Sequence, residues 1–158
     1  MFTNYKVLEK IHADDIAAFR AIVTISSLVV QYENNNAGYP SFRCHSVCIA
    51  LAAHIPSVTV VHGTYLGLVR GYKGKVLKTL TPHGYPHSWL TGPKKTIFDV
   101  YPVGFISPPC IVPAESDFAP FGAQLFLPDP SRTKEFTSPE IMLEAAILFQ
   151  HIAELLKK

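Results

Sequence analysis

The sequence predicts an α+β fold, because helical and strand-like segments occupy separate parts of the chain. Two helical segments come first, a strand-rich middle follows, and another helical segment comes last. The 158 residues suit one domain, 1–158, and 48% hydrophobic against 16% charged residues supply enough apolar material for a sizeable core. We therefore expect N-terminal helices packed on an antiparallel β-sheet, with a C-terminal helix.

The first two helices are predicted over 14–32 and 41–55. Asp14 can cap the first, which has apolar residues at helical spacing, and 33–38 then reads as a loop. Ser41 can cap the second helix, and Pro56 ends it. This placement puts Cys44 in the first turn of the second helix.

The middle of the chain is predicted to form strands. Residues 92–95 have the composition of a four-residue hairpin loop, so the strands on either side should be antiparallel neighbours. Gly63 separates the first two strand-like segments, and the proline-rich stretch 102–130 is expected to be mostly ordered loop. The predicted strands are 57–62, 64–70, 75–80, 87–91, 96–101 and 123–127. The last helix should begin with Ser138 as cap and Pro139 at its first position.

Cys44 is the candidate nucleophile of the chain. A thiol becomes reactive when it ionises, and both a helix N-terminus and a neighbouring imidazolium favour the thiolate. Cys48 lies one turn further in, where free backbone N–H groups have run out, so we expect it to be a core residue. Cys110 receives the same interpretation.

His87 and Asp99 are the candidate base and its orienting acid. They lie on the two strands that flank the predicted hairpin loop, so their side chains can approach across the ladder. Counting from a four-residue loop places His87 opposite Val100 and leaves Asp99 one residue off. A bulge or a longer loop would correct this register.

Three segments resemble the transglutaminase-like superfamily of papain-like cysteine enzymes. Residues 43–51 (RCHSVCIAL) look like its nucleophile helix, His87-Ser88-Trp89 resembles its His-Ala-Trp signature, and 97–100 (IFDV) resembles the strand bearing its acid. The resemblance covers about 41–105 and suits a compact member such as the bacterial leader peptidases of lasso-peptide pathways. Residues 99–105 (DVYPVGF) also resemble the acid segment of arylamine N-acetyltransferases. Cys48 and Ser88 replace the usual alanines, and we expect both changes to be harmless.

The resemblance implies a papain-like or transglutaminase-like core and a thiol hydrolase, a cysteine peptidase or amidase, that needs no cofactor. Its substrate would be a peptide, a protein or a small amide. The Cys44 backbone N–H would help to hold the oxyanion, together with one side chain among Gln31, Asn36 and Tyr39. Trp89 could shield the His87–Asp99 pair from water.

Alternatives from other classes remain open at this point. The same triad could run acyl transfer, as in a transglutaminase, or deamidation. Cys44, Cys48, His83 and His87 include two pairs four residues apart and could bind zinc, although such thiols usually lie in knuckle loops. A third possibility is a non-catalytic module that uses 105–121 as a surface for a protein partner.

Charge and hydropathy exclude other partners. The net charge is only +2 and the basic residues are scattered, so we expect no nucleic acid as a partner. The most apolar stretch, 16–30, contains an arginine and falls short of a membrane span. The first ten residues lack the pattern of a secretory signal, and three cysteines do not suggest a disulfide framework, so a reducing cytoplasmic setting is expected. The oligomeric state is not predicted.

Overall fold

The α+β prediction is confirmed by a computed structural model, which describes residues 10–35, 43–66, 69–70, 76–77, 84–100, 110–113 and 125–158. The helices in these ranges are α1 (Ala13–Asn35), α2 (Cys44–His54), α3 (Thr133–Phe136), which follows a 3-10 turn at Pro130–Arg132, and α4 (Pro139–Leu156). The strands are β1 (Thr59–Tyr65), β2 (Val69–Arg70), β3 (Val76–Leu77), β4 (Tyr85–Thr91), β5 (Ile97–Asp99), β6 (Cys110–Val112) and β7 (Phe126–Pro128).

Five strands form an antiparallel half-barrel in the order β6-β5-β4-β1-β7, and β2 pairs with β3 separately. Each face of the half-barrel has its own apolar cluster, because successive side chains of a strand point to opposite faces. The first cluster joins the sheet to α1, α2 and α4, and it includes Leu51, Leu90, Phe98 and Leu148. The second includes Tyr65, Trp89, Val112 and Phe126. The middle of β4, buried on both faces, therefore lies between the two clusters.

The start of α1 differs from the prediction that Asp14 caps it. The Asp14 N–H instead donates to the imidazole Nδ1 of His12, 3.1 Å away. The neighbouring Asp15 is fully buried and accepts hydrogen bonds from the N–H groups of Lys94 (2.9 Å) and Thr96 (3.2 Å). A buried carboxylate requires such partners, so Asp15 fixes the β4–β5 loop against α1.

The start of α2 also differs, since the helix begins at Cys44 and not near Ser41, which lies outside the described residues. Arg43 is the N-cap residue and has no side-chain capping bond. Its backbone N–H donates to Glu144 of α4 over 2.6 Å, and its guanidinium binds the other oxygen of the same carboxylate at 2.9 Å. A contact between two helices therefore defines where α2 begins, so the local capping signal misplaced it. The α4 prediction is confirmed: Ser138 caps it and Pro139 is its first residue.

Gly63 does not interrupt a strand, as the sequence suggested, because β1 runs through it without a break. A side chain at this position would collide with the Leu127 carbonyl group of β7 and with the Trp89 ring of β4. Glycine is present here because of close packing rather than a turn.

The β4–β5 register resolves the mismatch between His87 and Asp99. Thr91 pairs with Ile97 and Leu90 with Phe98, so the loop is one residue longer than predicted. Continuing this register places Asp99 opposite Trp89, two residues from His87 on the same face of β4. The longer loop, and not a bulge, aligns the two side chains.

Within the described residues, no helix has both the length and the apolar character that crossing a bilayer would require. Of the stretch 105–121, only 110–113 is described, and 110–112 forms β6. The surface predicted there lies otherwise outside the described residues.

Candidate active site

Cys44 is the first residue of α2 and is partly exposed. The first helical hydrogen bond of α2 joins the Val47 N–H to the Arg43 carbonyl at 3.1 Å, so the helix does not use the Cys44 N–H. The positive end of the helix dipole therefore lies beside the thiol and favours its anionic form.

His87 and Asp99 form a buried ion pair. The distance from His87 Nε2 to Asp99 Oδ1 is 2.9 Å, and the side chains are 0% and 1% exposed. Burial alone lowers the pKa of His87, but the charge and hydrogen bond of Asp99, aided by Cys44, outweigh it and raise the pKa to about 10. The imidazole is therefore held as a cation with a fixed orientation.

Cys44 and His87 lie close enough to shift each other's pKa. Burial raises the pKa of the Cys44 thiol, but the His45 and His87 imidazoles act in the opposite direction and bring it to about 6. The other ring nitrogen of His87, Nδ1, is the one buried side-chain nitrogen or oxygen among the described residues that makes no hydrogen bond of standard geometry. The thiol and His87 are therefore loosely aligned neighbours, as is common in thiol sites without substrate.

A second imidazole, His45, lies against the thiol. The Cys44 sulfur is 3.7 Å from His45 Nδ1 and 4.0 Å from Nε2. His45 Nδ1 is also 2.6 Å from the Ser88 hydroxyl, and that hydroxyl is 2.6 Å from Nδ1 of His62 on β1. The His45 ring stacks on Phe136 at 4.0 Å, which holds it in place.

Cys48 has the core role that the sequence predicted. It is fully buried in the first apolar cluster, and its thiol donates to the Ser88 carbonyl at 3.4 Å. Burial, with smaller effects from the charges of Cys44 and Asp99, raises the pKa of this thiol well above its ordinary value. Cys110 lies on β6 opposite Asp99, and its side chain is outside the described part.

Trp89 covers the ion pair on the second face of the sheet. Its ring is 6.2 Å from the His87 ring, and Phe126 and Tyr65 also pack near that imidazole. All three aromatic side chains are buried. These rings form an apolar cover, which strengthens the attraction between His87 and Asp99. The shielding from water that the sequence suggested for Trp89 stays a prediction.

The side chains of the three oxyanion candidates lie outside the described part of the structure. Gln31 lies on α1, but its side chain is outside what the structure describes, and Asn36 and Tyr39 lie in the undescribed stretch 36–42. His83 of the zinc alternative is also undescribed. Among the described residues, no group of three or more His, Cys, Asp or Glu side chains could hold a metal ion.

Sequence reasoning missed His45, Ser88 and His62 as members of this site. Ser88 was interpreted as a harmless replacement for alanine, but its hydroxyl joins two imidazoles. The available signal was a histidine, His45, directly after the candidate nucleophile on a mostly apolar helix. A polar group in such a position needs a partner, and this one lies 43 residues away.

Comparison of the chain with protein-family models, curated proteins and solved structures finds no match in any of the three. The resemblance to the transglutaminase-like superfamily therefore stays a prediction, and the site itself must support any assignment of function.

Proposed function

We propose that the protein is a thiol hydrolase, a cysteine peptidase or amidase, that acts through Cys44, His87 and Asp99. One observation supports it most: a partly exposed thiol at a helix N-terminus has its pKa lowered by a buried imidazole, and the Nε2 atom of that imidazole is 2.9 Å from a buried carboxylate. This combination makes a thiolate available near neutral pH, which is what a cysteine nucleophile needs. An ordinary core cysteine, such as Cys48, has none of these features.

The mechanism follows from the charges in the resting site. The Cys44 thiolate attacks the carbonyl carbon of an amide, and the carbonyl electron pair moves onto oxygen. His87 then gives its proton to the leaving nitrogen as the C–N bond breaks, which leaves an acyl group on the sulfur. Neutral His87 next takes a proton from water, which attacks the acyl-enzyme and releases the acid. Asp99 keeps the ring oriented and stabilises its charge throughout.

The negative oxygen of the intermediate would be stabilised at the start of α2. The Cys44 N–H is not used by the helix, and the helix dipole adds positive potential there. Acyl transfer to an amine, or deamidation, uses the same first step and differs only in what resolves the acyl-enzyme. A reducing compartment such as the cytoplasm would keep the Cys44 thiol free for this chemistry.

The test is to trap the acyl-enzyme with p-nitrophenyl acetate. Wild-type protein should release a burst of p-nitrophenol and carry one acetyl group on Cys44 by peptide mass spectrometry. Cys44→Ala should abolish the burst, and His87→Asn should slow it by roughly 10³-fold. Cys48→Ala is the matched control on the same helix and should keep the burst if the protein folds. Acetylation spread over Cys48 or lysines, with no dependence on His87, would contradict the proposal.

A further inference from the structure

The Ser88 hydroxyl connects two imidazoles from different elements, one on each side of it. His45 of α2 and His62 of β1 both point Nδ1 at Ser88 Oγ, at 2.6 Å each. A hydroxyl has one proton, so Ser88 donates to one imidazole and accepts an N–H from the other. The direction of both hydrogen bonds can therefore reverse when one proton moves along each of them.

The two imidazoles at the ends of this His45–Ser88–His62 hydrogen-bond network lie in different surroundings. His45 is buried, and both of its ring nitrogens lie within 4.0 Å of the Cys44 sulfur. Ser88 is fully buried, whereas His62 is half-buried and so has access to water. His87, by contrast, packs against Tyr65, Trp89 and Phe126 and pairs with Asp99.

We propose that His45 is a second imidazole of the active site, and that Ser88 and His62 connect it to solvent, so that these three side chains carry protons between Cys44 and water. These roles rest on the proposed function, because they concern the same thiol. His45 is the catalytic member, since it contacts the reacting sulfur, and Ser88 and His62 act through it as positioning residues.

The proton movements balance along the chain. Initially His62 donates its Nδ1 hydrogen to Ser88, and Ser88 donates its own to His45 Nδ1. A hydronium ion or a buffer acid gives a proton to His62 Nε2 and leaves as water or as the buffer base. The Nδ1 hydrogen of His62 moves to Ser88 Oγ, and the Ser88 hydrogen moves to His45 Nδ1. His45 then releases its Nε2 proton to the sulfur or to a leaving group beside it. Each group gains one proton and loses one.

The charged groups around these three side chains favour this proton transfer. Burial, and then the electrostatic effect of the neighbouring His45, lower the pKa of His62, which keeps His62 able to release a proton. The Arg132 guanidinium lies 5.3 Å from the centre of the Phe136 ring, against which His45 stacks, and it adds further positive potential. The described residues also place Cys44 and the His87–Asp99 pair near this site, and Arg43 at the start of α2 is neutralised by Glu140 and Glu144.

The first test measures the rate of Cys44 alkylation by iodoacetamide against pH, without any substrate. His45→Gln should raise the apparent pKa of the thiol, so that labelling at mildly acidic pH falls by roughly three- to tenfold. His54→Gln is the matched control, because His54 lies on the same helix and stacks on Phe149 at 4.2 Å as His45 stacks on Phe136. Equal pH profiles for the two variants would overturn the role of His45.

The second test addresses the path to water. His62→Ala should slow the release of acetate from the acetylated enzyme by roughly tenfold, and imidazole added to the buffer should restore the rate. His54→Ala should release acetate at the wild-type rate, and added imidazole should not alter that rate. The path would be overturned if His62→Ala released acetate at the wild-type rate. It would also be overturned if added imidazole failed to restore a slowed rate. Because His62 is half-buried, this test remains informative even if His45→Gln fails to fold, which thermal melting will show.

A third variant separates this inference from the proposed function. If His87→Asn leaves the pH profile of Cys44 unchanged while His45→Gln shifts it, the triad fails and the second imidazole stands. If only His87→Asn shifts the profile, the second imidazole fails and the triad stands.

Discussion

Cys44 and Cys48 lie one turn apart on α2, and the first and second turns of this helix give their thiols opposite characters. Cys44 is partly exposed, lies beside His45 and His87, and has a pKa of about 6. Cys48 is fully buried, donates to a backbone carbonyl, and has a pKa well above its ordinary value. The same side chain is therefore an anion in one turn and a neutral apolar group in the next.

The contrast shows that the surroundings of a thiol decide its chemistry more than its residue type does. The first turn supplies unused N–H groups and the His45 imidazole, and β4 adds the His87 imidazole beside it. The second turn buries Cys48 in the apolar cluster, where its partner is the Ser88 carbonyl. Both positions experience burial, which raises a thiol pKa in each case. Only Cys44 has imidazole neighbours whose effect overcomes it.

The largest expected effect is the difference in labelling between the two cysteines. At neutral pH, iodoacetamide should modify Cys44 at least about 10³-fold faster than Cys48, because Cys44 is a thiolate and Cys48 reacts only after local unfolding. Peptide mass spectrometry over a time course measures both rates and separates Cys110. Faster labelling of Cys48 would reverse the assignment of the two turns.

The second effect concerns Asp99, whose charge does most to raise the pKa of His87. Asp99→Asn keeps the shape but removes that charge, so turnover of p-nitrophenyl acetate should fall by roughly 10²-fold. The loss should be smaller than for Cys44→Ala or His87→Asn, since both reacting groups remain. Asp14→Asn, at an exposed position, is the control, and unchanged turnover in Asp99→Asn would remove Asp99 from the triad.

The third effect is on the pH dependence of stability. His87 has a raised pKa, from 6.5 to about 10, so its stabilisation is complete below 6.5 and is lost as pH rises toward 10. Cys44 has a lowered pKa, from 9.0 to about 6, so its stabilisation is present above 9.0 and is lost as pH falls toward 6. Between about pH 7 and 8.5 the two slopes cancel, and the wild-type free energy of unfolding should be flat.

Cys44→Ser removes one of these titrations and leaves the other, because Asp99 still holds the proton on His87. Its free energy of unfolding should therefore fall by about 1.4 kcal/mol per pH unit across the same window. Urea titrations at several pH values measure this slope, and Cys48→Ser should not acquire it. A flat profile for Cys44→Ser would show that the His87 proton is not held as described.

The smallest effect concerns the ion pairs that define the start of the first turn. Glu144 is 17% exposed and accepts three hydrogen bonds from Arg43, whereas Glu140 is 79% exposed and makes one contact of 3.0 Å. Glu144→Gln should lower the free energy of unfolding by about 1 kcal/mol, and Glu140→Gln should have no measurable effect. Equal losses in urea titrations would mean that burial of the carboxylate does not matter here.

The sequence correctly predicted those elements whose ends depend on neighbouring residues. Ser138 and Pro139 are a cap and a first-turn proline, and α4 begins where they indicate. The loop after Thr91 has turn residues, and the β4–β5 hairpin forms there with one extra residue. Cys44 was correctly expected at the start of a helix, which is why the candidate nucleophile could be selected at all.

Features that depend on distant partners could not be predicted in the same way. The start of α2 depends on Glu144, 101 residues away from Arg43, and not on a neighbouring cap. Asp15 interacts with a loop about 80 residues later, and nothing near it in sequence distinguishes it from an exposed acid. His45 gains its role only when β4 brings Ser88 to it. In each case the contact that the side chain makes exists only in the folded protein.

Trp89 is the only tryptophan of the chain, and its ring centre is 6.2 Å from that of His87. A nearby imidazolium quenches the emission of an excited indole more strongly than a neutral imidazole does. The intrinsic fluorescence of the folded protein should therefore brighten whenever His87 gives up its proton. The emission of Trp89 therefore reports whether His87 is protonated, and stopped-flow fluorescence can follow it without an attached dye.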